Sequence, residues 1–128
     1  MTNYTPEQIL ALVVQTADSK KARELSAMHV TEQTTLADYF VVMTGTSTPH
    51  LRALSGEIEK KLKDEMGLMA HHIEGVTSSW ILMDYSTVVI NIFLSEAREL
   101  YALERLWNDA GRVDIEKYLT KDEGKDEV

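Results

Sequence analysis

Residues 80–93 read WILMDYSTVVINIF. Two short apolar runs, WILMD and VVINIF, flank the polar residues Tyr85–Thr87. Runs of this length, rich in aromatic and β-branched residues, predict two strands joined by a tight turn. Asp84 stands at the end of the first run and admits two readings. A strand can display a carboxylate for metal-assisted phosphoryl transfer, but that chemistry needs a second carboxylate close by. The position one residue beyond Tyr85 is Ser86, which cannot serve as one. An aspartate entering a turn needs nothing further, because its side chain bonds nearby backbone N–H groups. The turn reading is favoured.

Working outward, ADYFVVMTG (37–45) predicts a strand whose continuous apolar run from Tyr39 to Met43 fits burial on both faces. Gly45 ends it, and Ser47 or Thr48 can cap a helix running to about Met66, with Gly67 as its stop. Leu51, Leu54, Ile58 and Leu62 form one stripe of that helix, while Arg52, Glu59, Lys60 and Lys63 face water. Upstream, residues 5–18 predict a helix with a T-x-x-Q capping box at Thr5 and Gln8 and an apolar face of Ile9, Leu10, Val13, Val14 and Ala17. ELSAMHV (24–30) predicts a strand, and HHIEG (71–75) a short one. Ser95 can open a last helix that ends before Gly111. The order reads as one α/β or α+β domain, with a mixed sheet of about five strands covered by helices. Residues 1–115 are assigned to the domain and 116–128 to a flexible acidic tail, on the composition of KDEGKDEV.

Composition narrows the functions. The chain has 128 residues, 44% hydrophobic and 27% charged, and a net charge of −8. With 13 basic against 21 acidic residues, general nucleic-acid binding is disfavoured, since that rests on phosphate neutralisation. A basic protein partner is the easier electrostatic match. Cysteine is absent, which excludes disulfides, thiolate zinc sites and a cysteine nucleophile and fits a reducing cytoplasm. MTNYTPEQ does not read as a signal peptide, and no apolar run is long enough to span a membrane.

Three further stretches carry possible chemistry. TGTST (44–48) joins a strand to a helix, where backbone amides suit a phosphate, but its single glycine and missing G-K-[ST] make N-capping sufficient. His71, His72 and Glu74 invite a metal, yet on a strand only His72 and Glu74 share a face, which leaves a site open. SEARELYALERLWNDA (95–110) places Leu100, Leu103, Leu106, Trp107 and Ala110 on one helical face. Tyr101 lies almost opposite that face, beside Glu104, Arg105 and Asn108, either as a surface tyrosine or as an interface anchor. Trp80, expected at the start of its strand and at a sheet end, adds to the second reading.

DYFVVMTGTS, IEG, WILMDYSTVVINIF and YALERLW, in that order, resemble the ribosomal silencing factors, also called the Iojap family, over about residues 5 to 110. The resemblance implies a nucleotidyltransferase-like fold without catalytic groups, and a non-enzymatic protein that requires no cofactor. It implies binding to the large ribosomal subunit through ribosomal protein fourteen, on the face that meets the small subunit, so that subunit joining is blocked. It also permits a homodimer. It carries Trp80, Ile81, Arg98, Tyr101, Glu104 and Arg105 to the binding surface, and Asp84 and Tyr85 mainly to a structural turn. Asn91 and Ala102 depart from the family, which often has His and an acid there. The alternative is a small nucleotidyltransferase-like enzyme using the TGTS turn together with Asp84.

Overall fold

A computed structural model describes residues 4–31, 37–76, 78–101 and 111–119, with backbone alone at 99–101 and 112. The first helix, α1 (Pro6–Ser19), starts where the capping box predicts: Thr5 Oγ1 accepts from Gln8 N at 3.1 Å, and Gln8 Oε1 accepts from Thr5 N at 2.8 Å. Its predicted apolar face is buried throughout. Strands β1 (Arg23–His29) and β2 (Tyr39–Gly45) follow, then α2 (Thr48–Met66). Ser47 caps α2 by accepting from His50 N. Gly67 ends it at φ 66°, a left-handed conformation that glycine adopts without steric cost.

The chain continues through β3 (His72–Glu74), β4 (Trp80–Asp84), β5 (Val88–Leu94), α3 (Ser95–Tyr101), β6 (Gly111–Arg112) and a 3-10 turn over Ile115–Tyr118. The sheet has six strands in the order β3-β4-β5-β2-β1-β6, with β2 and β5 parallel and the other pairs antiparallel. The sixth strand exceeds the expected number because two residues pairing with β1 carry no periodicity to read. Ile115, Tyr118 and Leu119 are partly buried and pack against the main core. The acidic stretch from 120 onward lies outside the described residues.

Helices α1 and α2 cover one face of the sheet, where Ile9, Leu10, Leu51, Leu54, Ile58 and Leu62 meet Val41, Met43, Ile81, Met83, Ile90 and Ile92. The other face carries a smaller cluster of Met28, Val30, Ala37, Val42, Phe93 and Ala97, to which α3 contributes Ala97. Strand β2 is therefore apolar on both faces because both are covered.

Asp84 turns the hairpin. Its Oδ1 accepts from Ser86 N at 2.8 Å, and Tyr85 N donates to Val88 O at 3.0 Å. Ser86 stands at φ 71°, a conformation costly for a non-glycine residue, which the Asp84 bond offsets. Asp84→Ala should lower stability by about 1–2 kcal/mol in a denaturant titration. An unchanged midpoint would contradict this role.

Two buried tyrosines set an alkaline limit. Burial and the neighbouring Glu7 carboxylate, which accepts from its hydroxyl, push the Tyr39 phenol up to about 12. Burial and the Glu59 charge push Tyr85 up to about 12. A phenol in the unfolded chain ionises near 10. The folded state thus holds these protons more tightly, and stability falls as pH rises from about 10 to about 12. Neither group contributes pH dependence below that window. Tyr39→Phe should flatten part of the loss in melts recorded across the range.

Candidate partner-binding surface

Residues Trp80, Leu82 and Asp84 alternate with Ile81 and Met83 along β4 and point away from α1 and α2. Trp80 is half-buried, packed on the smaller cluster. Its indole stacks on Phe93 with centroids 5.0 Å apart and planes at 30°. Its Nε1 donates to Asn91 Oδ1 at 3.0 Å. Asn91 has no exposed surface, so this bond fixes the indole from beneath in a low-dielectric setting. Asn91 Nδ2 has no hydrogen-bond partner among the described residues. The polar contact made by this strand is thus directed at Trp80.

The corner before Trp80 is tightly built. Gly75 stands at φ 79°, and a Cβ there would lie 2.1 Å from Trp80 O. Ser78 Oγ lies 2.9 Å from Gly75 O and 2.8 Å from Trp80 O, and accepts from Trp80 N at 3.2 Å. A slot of 270 Å³ opens beside it, lined by Glu74, Gly75, Ser78, Ser79, Trp80 and Leu82. Gly75→Ala should cost about 2 kcal/mol in thermal or chemical melts, since backbone strain and a backbone clash coincide. A loss below about 0.5 kcal/mol would show that the corner relaxes freely.

Two residues expected at a binding surface stand elsewhere. Ile81 is fully buried under α1 and α2, because the alternation that turns Trp80 outward turns Ile81 inward. It cannot touch a partner in this fold. Arg98 is mostly enclosed, its side chain 13% exposed. Its Nη1 donates to Glu24 O and, at 2.9 Å, to Thr44 Oγ1, with the Glu24 carboxylate at 4.0 Å. It pins α3 to the bulge in β1, where Glu24 takes φ 50°. Tyr101 closes the described part of α3, and Ala102, Glu104 and Arg105 lie outside the described residues, as do Leu103, Leu106, Trp107, Asn108 and Ala110.

The stretches with alternative chemistry separate in space. Thr46 N donates to His50 Nδ1 at 2.9 Å, and His50 Nε2 lies 2.8 Å from Lys20 O, so the TGTS turn is held by capping and by His50. Gly45 lets Leu51 approach, since a Cβ would meet its Cδ2 at 2.8 Å. A cleft of 490 Å³ at this end is lined by Arg23, Glu24, Thr44, Gly45, Thr46, Leu94, Ser95 and Glu96. Asp84 pairs with Val89 at the opposite end of β5, whereas Gly45 pairs with Leu94. Five residues of strand separate them, roughly 16 Å. A site joining the TGTS turn to Asp84 does not form.

His72 Nε2 bonds Glu74 Oε2 on the exposed face of β3, and His29 stacks on Tyr39 with centroids 4.8 Å apart. Among the described residues no group of three or more His, Asp or Glu side chains could hold a metal ion. Among them, too, no helix is long and apolar enough to cross a membrane.

The family described as "Ribosomal silencing factor during starvation" matches residues 3–128. The chain belongs to the ribosomal silencing factor family. It is 33% identical over 115 residues to Ribosomal silencing factor RsfS of Halalkalibacterium halodurans, covering 89% of this chain and 97% of that one. It is 32% identical over 111 residues to the Bacillus subtilis protein of the same name, covering 86% and 93%. A mouse protein named Mitochondrial assembly of ribosomal large subunit protein 1 is 33% identical over 99 residues, covering 75% of this chain and 43% of that one. Among solved structures, a crystal structure of a Chromobacterium violaceum protein matches with a TM-score of 0.79 at 27% identity, covering 82% of this chain and 88% of that one. One from Bacillus halodurans matches with a TM-score of 0.73 at 30% identity, covering 84% and 98%. The bacterial relatives are named as silencing factors, not as enzymes.

Asn91 has a physical role in this fold: its side chain holds the indole of Trp80. Sequence reasoning missed Gly75 and Ser78 as builders of the Trp80 corner. Their signal was a G-x-x-S spacing immediately before a strand, which is common in loops of every kind.

Proposed function

We propose that this chain binds the large ribosomal subunit through ribosomal protein fourteen and blocks joining of the small subunit, repressing translation when nutrients are short. The family match over residues 3–128 carries the reading. The name of the mouse relative refers to the large ribosomal subunit, which supports the reading at the level of the subunit. A net charge of −8 suits a basic ribosomal protein, because opposite fields speed encounter and fix orientation. The action is steric and cytoplasmic and needs no cofactor or turnover. Trp80 supplies the anchor from β4 and Tyr101 a contact from the end of α3, joined by Glu104 and Arg105, which lie outside the described residues. Arg98 supports them from behind, as does Ile81.

Co-sedimentation with purified large subunits tests the reading, followed by a subunit-joining assay. The chain should travel with the large subunit and reduce the yield of joined ribosomes. A chain that stays at the top of the gradient overturns it. The same gradient without subunits reads whether the free chain is a monomer or a homodimer.

A further inference from the structure

The slot beside Trp80 has two kinds of wall. Trp80 and Leu82 are half-buried and apolar, while Ser78 and Ser79 are exposed and polar. Among the described residues, Glu74 is the one charged residue lining it. Strand pairing sets Glu74 directly opposite Leu82, so the carboxylate stands beside the apolar wall on the same face of the sheet. The His72 bond to Glu74 Oε2 holds it there, with the Glu74 side chain still 66% exposed. Ser78 Oγ bonds both Gly75 O and Trp80 O, so the two ends of the corner are tied to each other at the mouth of the slot.

We propose that this slot receives one long basic side chain, a lysine or an arginine, from the partner; the inference rests on the ribosome-binding reading above. Such a side chain has an apolar stem and a charged head, which matches a wall of Trp80 and Leu82 beside a carboxylate. An indole also favours a cation near its ring. An apolar occupant would strip water from Glu74 without supplying a counter-charge. An acidic occupant would be repelled by Glu74 and by the net charge of −8. A second copy of this acidic chain fits poorly for the same reason. The slot is continuous with the proposed Trp80 contact, so one partner can engage both.

The test uses the full chain and purified large subunits, with binding curves recorded over a range of salt concentrations. Glu74→Gln should weaken binding roughly threefold, within the range of an exposed ion pair. Glu74→Lys should weaken it about tenfold or more, because attraction becomes repulsion. Both should reduce the salt dependence of binding. Glu59→Lys makes the same charge change on α2, behind the sheet, and should bind close to the unmodified chain. Glu74 and Glu59 are both exposed, and melting curves check that each variant folds. A Glu74→Lys chain that binds as tightly as the Glu59→Lys chain overturns the proposal alone. So does insensitivity at Glu74 combined with weakened binding by Leu82→Ser, which would mark an apolar occupant. An unmodified chain that never sediments with the subunit overturns the ribosome-binding reading and this proposal with it.

Discussion

Trp80→Ala should weaken binding to the large ribosomal subunit about thirtyfold or more, the roughly 2 kcal/mol expected when a hot-spot aromatic is truncated. The expectation rests on how the indole is held. Phe93 backs the ring at 5.0 Å, and Asn91 accepts from Nε1 at 3.0 Å. An aromatic fixed on two sides loses little freedom when a partner covers it, so more of its contact energy reaches the affinity. Truncation also leaves Asn91 Oδ1 buried without its Trp80 donor, which costs about 1–3 kcal/mol of stability. Binding should therefore be measured well below the melting transition. Trp80→Phe separates the contributions, since it keeps an aromatic ring over Phe93 but removes the donor to Asn91. Its affinity should fall between those of the unmodified and alanine chains. If Trp80→Ala bound unmodified subunits with unchanged affinity, the site would have to lie elsewhere.

Phe93→Ala should lower the unfolding free energy by about 3–5 kcal/mol, read from urea titrations. Phe93 is 1% exposed and lies on β5, between β4 and β2 in the sheet. It packs with Met28, Val42 and Ala97 and stacks on Trp80, so its removal opens a cavity shared by the sheet and α3. The rim of that cavity is Trp80 itself, so the indole loses its backing and binding weakens as well. Phe93→Leu keeps most of the volume and should cost less on both measures. A loss under about 1 kcal/mol for Phe93→Ala would mean that the smaller cluster collapses around the gap and contributes little to the fold.

Much of the fold was legible locally. The capping box at Thr5 and Gln8 and the Ser47 and Gly67 caps each involve groups within five residues of one another. The Asp84 turn works the same way, its carboxylate reaching an amide two residues on. Such signals survive in a bare sequence because the physics that causes them is short-ranged. The strand at 111–112 was not legible, since it forms only because β1 presents an edge to it. Gly75 and Arg98 escaped for a related reason. The carbonyl that a Gly75 side chain would strike belongs to Trp80, and the carbonyl that Arg98 binds lies 74 residues away.

The sequence by itself determined the order of elements from α1 to the start of α3, the approximate boundaries of α1 and α2, the hairpin turn at Asp84 and the family to which the chain belongs. Tertiary structure alone decided which residues of WILMDYSTVVINIF look outward. Alternation along β4 makes Trp80 and Ile81 point oppositely, but only the docking of α1 and α2 on one face settles that Ile81 is buried and Trp80 is available. Strand direction and register likewise place Asp84 and the TGTS turn at opposite ends of the sheet. Period and capping are set by neighbours along the chain, whereas face and register are set by what the chain packs against.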